Sequence, residues 1–379
     1  MNRILAVFLF LVLLTTRAEA QDYEKFKADS TFIQAVQNTS LSKYRKKELI
    51  KDYLKGKIED LNDIDTAWIS PNYYNYAFMI QNTNTFDNFS ITGDGTGYVN
   101  YLEFAPAPTF RLGGYFGWRW LFLGYTFDIK DLLGSKRENE KRNTEVGISL
   151  YTSKIGIDLY YRKTGNNFKI RNTSDLAPVT GQDFDNHFNG LNIYMKGINL
   201  YYVFNHRRFS LPAAFSQSTE QRRSCGSFKL GLSYSVHKID FDHKLLPEPI
   251  RMNISDAMKF DMVHYSDYNI SFGYAYNWVF KRDWLLDFSL TPALAYTHSH
   301  LERDDSFNLI EDLRFKNLNV DFISRLGLVY NNAKYFAGLS IIAHSFNYKK
   351  KEFSVNNSFG SVNFYVGLNF LRKKKYRNM

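Results

Sequence analysis

The feature that most constrains the fold is an alternation of apolar and polar side chains with a period of two residues, which begins near residue 73. Because neighbouring side chains of a β-strand point to opposite faces, this period predicts strands with one apolar face. The clearest strand places on one face Trp284, Leu286, Phe288, Leu290, Pro292, Leu294 and Tyr296, and on the other Asp287, Ser289, Thr291, Ala293 and Thr297.

The length of these segments favours a membrane barrel over a soluble sandwich. They run for about ten residues or more, whereas strands of soluble proteins commonly have about 5–6 residues. Aromatic residues make up 17% of the chain although its mean hydropathy is −0.37, and a barrel reconciles the two because alternate residues face lipid and lumen. After Leu14 no apolar stretch approaches the roughly 20 residues of a membrane helix. The sequence therefore predicts an all-β, transmembrane antiparallel β-barrel.

The N-terminus predicts export. Arg3 precedes an unbroken apolar run, Ile4 to Leu14, and Ala18-Glu19-Ala20 offers small residues before a cleavage site. This pattern is typical of a secretory signal peptide, here residues 1–20 with cleavage after Ala20. Export and a barrel together predict the outer membrane of a Gram-negative bacterium.

Residues 21–70 differ from the rest of the chain. Apolar residues recur there at helical spacing, with lysines between them: Leu41, Tyr44, Ile50, Tyr53, Leu54, Ile58 and Leu61. The spacing predicts an amphipathic helix over about 41–61. We therefore expect a periplasmic helical segment over 21–70, followed by the barrel over 71–379.

Loop lengths predict the number and direction of the strands. Bacterial barrels have short periplasmic turns, long outer loops and an even number of strands. Counting backwards from a last strand at 361–371 places long outer loops at 348–360, 299–314, 239–266, 164–189 and 130–142. Gly113-Gly114 reads as a turn between two further strands. The count is about twelve strands; fourteen is the alternative if 73–82 and 85–93 form a hairpin and 208–216 also crosses.

One segment does not fit the alternation of strands. A strand at 190–204 runs inward and a strand at 226–238 runs outward, so the residues between them have to be periplasmic. We therefore predict a periplasmic insertion near 205–225, although Phe209 to Phe215 could pass for a strand.

The insertion also carries a resemblance. Its pattern of small and polar residues comprises Asn205, Phe209-Ser210, Ala213-Ala214-Phe215, Gln217, Gln221, Ser224 and Gly226-Ser227. This pattern resembles an uncharacterised domain-of-unknown-function family of exported Gram-negative proteins, over about residue 65 to the end. Cys225, the single cysteine of the chain, stands where a small residue is expected. The resemblance implies an envelope location and no particular activity.

The insertion is the first candidate site because amides, hydroxyls and arginines are dense in it. It could fold into the barrel mouth as a plug, with its arginines paired to lumen carboxylates or lipid phosphates; the alternative is a folded turn that only closes the barrel base. The candidate residues are Asn205, Arg207, Arg208, Phe209, Ser210, Gln217, Gln221, Arg222, Arg223 and Ser224.

The predicted lumen face carries charges of both signs. Such charges need partners when buried, so they can close a narrow barrel, or they can line a selective pore. The residues are Asp158, Arg162, Lys229, His237, Asp287, Asp321 and Arg325.

His264 and Ser266 share one face of a predicted strand and could form a base and a nucleophile. The pair looks like the arrangement in outer-membrane phospholipases and lipid A deacylases. The wider pattern of neither family surrounds it, and no Asn or acid is clearly placed as a third member.

The functional classes that remain are few. The net charge of +10 would suit nucleic acid, but the exported context argues against that partner. We expect contact with outer-membrane lipid, a small solute or an envelope protein, and we expect neither a cofactor nor a metal. The leading hypothesis is a non-enzymatic narrow channel or a structural or binding component. The alternatives are a lipid-modifying hydrolase that uses His264 and Ser266, and a soluble periplasmic all-β ligand-binding protein.

Overall fold

The computed structural model describes residues 32, 34, 42–93, 100–106, 109–118, 121–129, 144–165, 168–173, 186–299, 318–349 and 353–377. The chain forms two compact units, residues 1–62 and residues 63–379. In the first unit, helix α1 spans Lys43–Asp60, close to the predicted helix. It begins after Ser42, whose hydroxyl accepts a hydrogen bond from the Arg45 amide at 3.3 Å and so satisfies a backbone donor in the first turn. The predicted signal peptide lies outside the described residues.

The second unit is mainly β-structure. Its strands are β1 (Ile69–Ser70), β2 (Tyr74–Gly93), β3 (Tyr101–Pro106), β4 (Thr109–Trp118), β5 (Leu121–Asp128), β6 (Thr144–Tyr151), β7 (Ile155–Lys163), β8 (Phe168–Thr173), β9 (His187–Phe188), β10 (Leu191–Val203), β11 (Glu220–Gln221), β12 (Cys225–Phe241), β13 (Met262–Lys281), β14 (Trp284–Ser299), β15 (Leu318–Asn331), β16 (Tyr335–Lys349) and β17 (Phe353–Arg372). Two short helices are α2 (Leu211–Phe215) and α3 (Glu248–Asn253).

The strands close into an antiparallel barrel, which confirms the predicted fold class. The order round the sheet is β2, β4, β5, β6, β7, β10, β12, β13, β14, β15, β16 and β17, and β17 pairs back along β2 from Phe353 to Arg372. Among the described residues, the ring is paired least between β5 and β6, which meet only at Leu121–Phe122 and Ser149–Leu150. Twelve strands of this ring lie within the described ranges; the number for the whole chain stays a prediction.

The two ends of the barrel differ in their connections. At one end, here called the short-turn end, β6 joins β7 and β13 joins β14 by tight turns, and β15 joins β16 through residues 332–334. Asp283 and Ala333 have positive φ angles of 64° and 71°, as such turns require. At the other end, the long-loop end, residues 242–261 connect β12 to β13 and contain α3. This is the arrangement that the loop lengths predicted.

Exposure follows the two-residue period. On β14, Phe288 and Leu294 are 56% and 62% exposed, whereas Asp287 and Ser289 on the opposite face are fully buried. The large apolar side chains therefore face outward, which is the inverse of a soluble protein and matches a barrel in lipid. No helix among the described residues is long and apolar enough to cross a membrane.

The structure contradicts one alternative and two predicted details. First, the alternative of fourteen strands fails, because Tyr74–Gly93 is one strand and residues 211–215 are a helix. Second, Gly113-Gly114 lies inside β4 and is not a turn. A Cβ on Gly113 would come within 2.6 Å of the Tyr125 carbonyl, so the glycine permits close strand approach.

Third, the last strand is longer than predicted, because Phe353 to Gly360 is not an outer loop but the first half of β17. Its polar side chains bond to neighbouring strands: the Asn356 amide donates to Asn347 Oδ1 at 2.5 Å and the Ser358 hydroxyl to Ser345 at 3.2 Å. A polar strand of this kind lacks the apolar face that marks a membrane crossing.

An apolar core fills the long-loop end. Residues 89–92 of β2 pair with β3, β3 pairs with β8, and β8 pairs with β9. The apolar side chains of these strands pack against inward-facing residues of the ring. The core contains Phe89, Ile91, Leu102, Phe104, Phe168, Phe188, Phe241, Leu246, Met258, Tyr265 and Phe353, all buried. A continuous apolar core of this size excludes water from that end of the lumen.

Candidate functional site

The insertion, residues 204–224, is fixed to the short-turn end by Asn205. Its backbone amide donates to the Ser227 hydroxyl at 2.9 Å, and its side-chain amide donates to the Gly226 carbonyl at 2.9 Å and to Cys225 Sγ at 3.1 Å. The Asn205 carbonyl in turn accepts from the amide of Phe209 at 2.8 Å. Asn205 thus closes the base of the loop between β10 and β12, and the site begins with this residue.

Ser210 starts the short helix α2. Its hydroxyl accepts from the Ala213 amide at 3.2 Å and lies 2.6 Å from the Thr219 hydroxyl, while Pro212 occupies the first turn. A serine cap followed by proline is the sequence pattern of a helix start. The apolar side of this turn, including Phe209 and Ala214, is fully buried, so the insertion packs into the barrel end and does not hang below it.

Gln221 joins the insertion to the barrel wall. Its side-chain oxygen accepts from the Ser210 amide at 2.9 Å and from the Asn277 side chain of β13 at 3.0 Å. Its side-chain nitrogen donates to the carbonyls of Arg208 and Arg223 at 2.7 and 3.0 Å. Asn277 also donates to the Ser210 carbonyl at 2.9 Å. Gln221, Asn277 and Ser210 are buried, and buried amides contribute most when their partners are present.

Gln217 makes the second connection to the wall. Its side chain donates to the Tyr365 hydroxyl of β17 at 2.8 Å and to the Ala214 carbonyl at 3.0 Å. Gln217 has a φ of 56°, a conformation that a buried residue adopts where surrounding contacts hold it. Nearby, Ser224 bonds to the Val279 backbone amide at 2.9 Å. The predicted polar motif therefore ties the insertion to two separate strands of the ring, β13 and β17.

The four arginines of the insertion contact residues 63–73 in the described structure, and not the lumen carboxylates that were one predicted set of partners. Arg222 donates to the Ser70 hydroxyl at 2.6 Å and to the Thr66 carbonyl at 3.1 Å. Arg208 and Arg223 both lie over the Trp68 ring, with centroid distances of 5.4 and 5.7 Å. Arg207 forms an exposed ion pair with Asp63 at 3.2 Å. β1, within this segment, pairs with β11 of the insertion.

The middle of the lumen is crossed by a buried ion pair. Arg325 of β15 donates to Asp158 Oδ2 of β7 at 2.9 Å. The other oxygen of Asp158 accepts from the hydroxyls of Ser149 and Tyr151, both at 2.7 Å. The guanidinium also lies 5.5 Å from the Phe215 ring at the end of α2. The insertion and the central ion pair therefore touch, and their closures of the lumen are continuous.

Lys229 and Asp287 lie beside this pair. Lys229 donates to the Ser289 hydroxyl at 2.6 Å. The charges of Lys229 and Arg325 both act on Asp287, which is fully buried, and neither carboxylate oxygen has a hydrogen-bond partner among the described residues. The predicted lumen charges Asp158, Lys229, Asp287 and Arg325 thus form one cluster.

The other predicted lumen charges lie toward the long-loop end. Arg162 forms a buried ion pair with Asp87 of β2 and covers the Phe359 ring at 4.5 Å. Asp321 accepts from the Asn269 side chain at 3.2 Å and from the Asn347 amide at 3.2 Å.

His237 belongs to a buried grouping that the sequence did not reveal. Its Nε2 lies 2.9 Å from the Ser235 hydroxyl and 3.4 Å from Asp267 Oδ2, and its ring stacks on Tyr265 with a centroid distance of 4.7 Å. Serine and acid meet the same ring nitrogen, whereas nucleophile activation needs one on each nitrogen. All of these residues are buried, and the apolar core covers them. The grouping is therefore structural in kind.

His264 and Ser266 lie on the outward face of β13. His264 pairs across the ladder with Lys238, and Ser266 with Val236. Ser266 is 1% exposed, and its hydroxyl lies 3.5 Å from that of Tyr234. A nucleophile has to be reached by its substrate, and the cover over Ser266 argues against that role.

The insertion also borders a groove of about 630 Å³ at the short-turn end, between Arg222 and the turn residues Lys281 and Arg282. Burial raises the pKa of the Glu220 carboxyl at its edge. Burial and the charge of Lys154 lower the pKa of His206 at the base of the insertion.

The residues that sequence reasoning missed are mostly uncharged partners. Asn277, Tyr365 and Ser289 hold Gln221, Gln217 and Lys229. Ser289 was placed on the polar face of a predicted strand, which was the available signal, but alternation does not tell which strands meet across the lumen.

Similar solved structures are outer-membrane barrels. The outer membrane protease OmpT of Escherichia coli shares 8% identity over 80% of this chain and 98% of that chain, with a TM-score of 0.36. The translocator domain of the autotransporter NalP of Neisseria meningitidis shares 12% identity over 85% and 95%, with a TM-score of 0.30. The Pseudomonas putida toluene transporter TodX shares 8% over 78% and 90%, with a TM-score of 0.24. Similarity at this level bears on neither activity nor cargo.

No curated protein matches the chain in sequence. One protein family does match it, from residue 63 to residue 370, which includes the insertion and nearly the whole of the second unit. The predicted resemblance to a family of unknown function is therefore confirmed. The chain belongs to the family described as Domain of unknown function (DUF4421).

Proposed function

We propose that the protein is an outer-membrane β-barrel with a closed lumen, and that it serves as a structural or binding component of the envelope and not as an open channel. The observation that carries the proposal is the insertion, which Gln221 and Gln217 tie to β13 and β17. It closes the short-turn end and contacts the Arg325–Asp158 pair through Phe215.

The closure is supported at three depths of the lumen. The insertion occupies the short-turn end, the ion pair crosses the middle, and an apolar core occupies the long-loop end. Moving solutes through such a lumen would require all three layers to rearrange. Water-filled barrels of similar fold keep a polar, open interior instead.

The outward apolar face of the ring supports a location in the membrane. The loops support the orientation, because short turns face the periplasm in bacterial barrels. Single cysteines placed by Leu245→Cys and Asn332→Cys, in a Cys225→Ser background, test both. A membrane-impermeant maleimide on intact cells should label position 245 in the long-loop end and leave position 332 unlabelled. Equal labelling of both, or recovery of the chain as a soluble periplasmic protein, would remove the proposal.

The lipid-hydrolase alternative has a separate test. Purified protein is assayed on phosphatidylethanolamine and on lipopolysaccharide, with Ser266→Ala as the matched variant. We expect the same background for both proteins because Ser266 is covered. Hydrolysis by the wild type that is lost in Ser266→Ala would replace the present proposal with the enzyme.

A further inference from the structure

Basic side chains gather on the outward face at the long-loop end. Lys163 of β7 and Lys238 of β12 flank Tyr194 of β10, which pairs with Lys163 on one side and Lys238 on the other. Lys196 follows on the same face of β10 and is exposed. Residues opposed across a ladder have Cβ atoms about 4.5–5.5 Å apart. These four residues, Lys163, Tyr194, Lys196 and Lys238, are here called the basic cluster.

The side chains of the cluster converge. The ammonium groups of Lys163 and Lys238 lie 5.2 and 5.6 Å from the centroid of the same Tyr194 ring. The charges of Lys196 and Lys238 both act on the His264 ring of the next strand. Asp240, at 3.1 Å from Lys238, offsets one positive charge, so the cluster keeps an excess of positive charge. Like charges repel, and this arrangement gains most when an anion lies among them.

The position of the cluster relates it to lipid. Toward the middle of the barrel, Lys196 shares its row with Tyr161 and Val236, and the next outward row is apolar or aromatic and contains Leu159, Ile198, Tyr234, Tyr268 and Tyr296. The Tyr234 and Tyr268 rings are in contact, with centroids 5.0 Å apart. Aromatic girdles mark the level where acyl chains meet headgroups. Two residues of strand rise about 6.6 Å and four about 13 Å, so Lys196 lies one row and Lys163 and Lys238 two rows beyond this level, which places the cluster among the headgroups.

We propose that the basic cluster binds the phosphate of an anionic lipid in the leaflet at the long-loop end, with the acyl chains along Leu159 and Ile198. The inference deepens the proposed function, because it requires the barrel to stand in a membrane with this end at the outer leaflet. The ammonium groups donate hydrogen bonds to phosphate oxygens. The row of aromatic side chains next to the cluster lies at the level of the lipid glycerol. Within the described strands the cluster lies on β7, β10 and β12, so the lipid is bound at this place on the circumference.

Lipid binding by the folded full-length protein in zwitterionic detergent tests the proposal. Native mass spectrometry compares dioleoyl phosphatidic acid with dioleoyl phosphatidylcholine, for wild type and for the triple variant Lys163→Gln, Lys196→Gln, Lys238→Gln. Each lysine near an anionic surface contributes enough that the triple variant should bind phosphatidic acid about a hundredfold more weakly. Lys349→Gln, which removes an exposed lysine at the long-loop end of β16, is the matched control and should bind as wild type does. The triple Lys→Arg variant should retain binding.

Three results would overturn the proposal. The first is equal affinity of the triple Gln variant and the Lys349→Gln control. The second is wild-type affinity that does not distinguish phosphatidic acid from phosphatidylcholine. The third is displacement of the lipid by an equal concentration of inorganic phosphate, which would indicate a site for free phosphate.

Folding is checked separately by heat-modifiable migration on a gel. A wild type without that shift would contradict the barrel itself, whereas a normal shift without lipid discrimination would contradict the lipid site and leave the barrel intact. If the triple variant does not fold, the double variant Lys163→Gln, Lys196→Gln takes its place, and a loss of less than about tenfold would overturn the proposal.

Discussion

The side-chain amide of Gln217 donates a hydrogen bond to the Tyr365 hydroxyl at 2.8 Å, and this contact joins the end of α2 to the strand that closes the ring. Gln217 lies in the insertion and Tyr365 lies 148 residues away on the inner face of β17. Together with the Gln221–Asn277 bond to β13, four strands away in the ring, it makes the insertion part of the wall and not a separate appendage.

A double-mutant cycle on this pair measures the attachment. Gln217→Leu and Tyr365→Phe should be less than additive, with a coupling of about 0.5–1.5 kcal/mol in the free energy of unfolding, because either change removes the same bond. Urea unfolding of the barrel in vesicles supplies the values. Tyr335→Phe, at an exposed tyrosine of the same barrel end, should change the free energy by less than about 0.5 kcal/mol. Full additivity would show that the bond does not form.

Breaking the Arg325–Asp158 ion pair should lower the free energy of unfolding by more than loss of the Gln217–Tyr365 bond does. Arg325→Leu leaves Asp158 charged and buried without its partner, and the free energy of unfolding should fall by about 3–5 kcal/mol. The double variant Arg325→Leu, Asp158→Leu should recover part of that loss, since it removes both charges. Arg282→Leu, whose side chain is 94% exposed, serves as the control. A single variant as stable as this control would place the pair outside a buried lumen.

The burial of Glu220 predicts that the free energy of unfolding depends on pH. Burial raises the pKa of its carboxyl in the folded protein, so the folded state holds the proton more tightly than the unfolded state does. Stability is therefore lost as the pH rises from the ordinary glutamate pKa through the raised value. Glu220→Gln should be more stable than wild type at neutral pH and equal to it in acid. The measurement is the unfolding free energy against pH, with the exposed Glu248→Gln as control; a constant difference at every pH would contradict the account.

The effect of a charged substitution on stability should depend on its depth in the membrane. Leu290→Arg, in the middle of β14 on the outward face, should lower the unfolding free energy in vesicles by about 2–4 kcal/mol, because the charge enters the hydrocarbon. Leu245→Arg makes the same change at a leucine that is 57% exposed in the long-loop end, and should cost little. Equal effects of the two variants would mean that Leu290 faces water.

Much of the barrel could be predicted from period and loop length. β10 and β12 lie close to the predicted strands 190–204 and 226–238, and β14 covers the alternating residues 284–297. These strands have a continuous apolar face toward lipid, and that face is what the alternation reports. Gly113 and the polar first half of β17 misled the prediction because their reasons are local contacts between strands, namely close approach at a glycine and asparagine side-chain bonds.

The candidate site was predictable in its residues and not in its contacts. The motif from Asn205 to Ser224 stood out as polar and dense, but its partners Asn277 and Tyr365 lie on strands far away in sequence. The apolar core of the long-loop end was likewise not foreseen. Phe104, Phe188 and Phe241 meet there through three-dimensional packing, and no sequence period encodes that meeting.

Conductance in a planar bilayer tests the closure of the lumen most directly. Wild type should stay near the baseline, whereas the triple variant Gln217→Ala, Gln221→Ala, Asn277→Ala, which removes the two glutamine side-chain connections of the insertion to the wall, should show frequent openings. Lys349→Gln, far from the insertion, should behave as wild type does. A stable open-channel conductance of wild type, equal to that of the triple variant, would contradict the account, because the insertion would then not close the barrel.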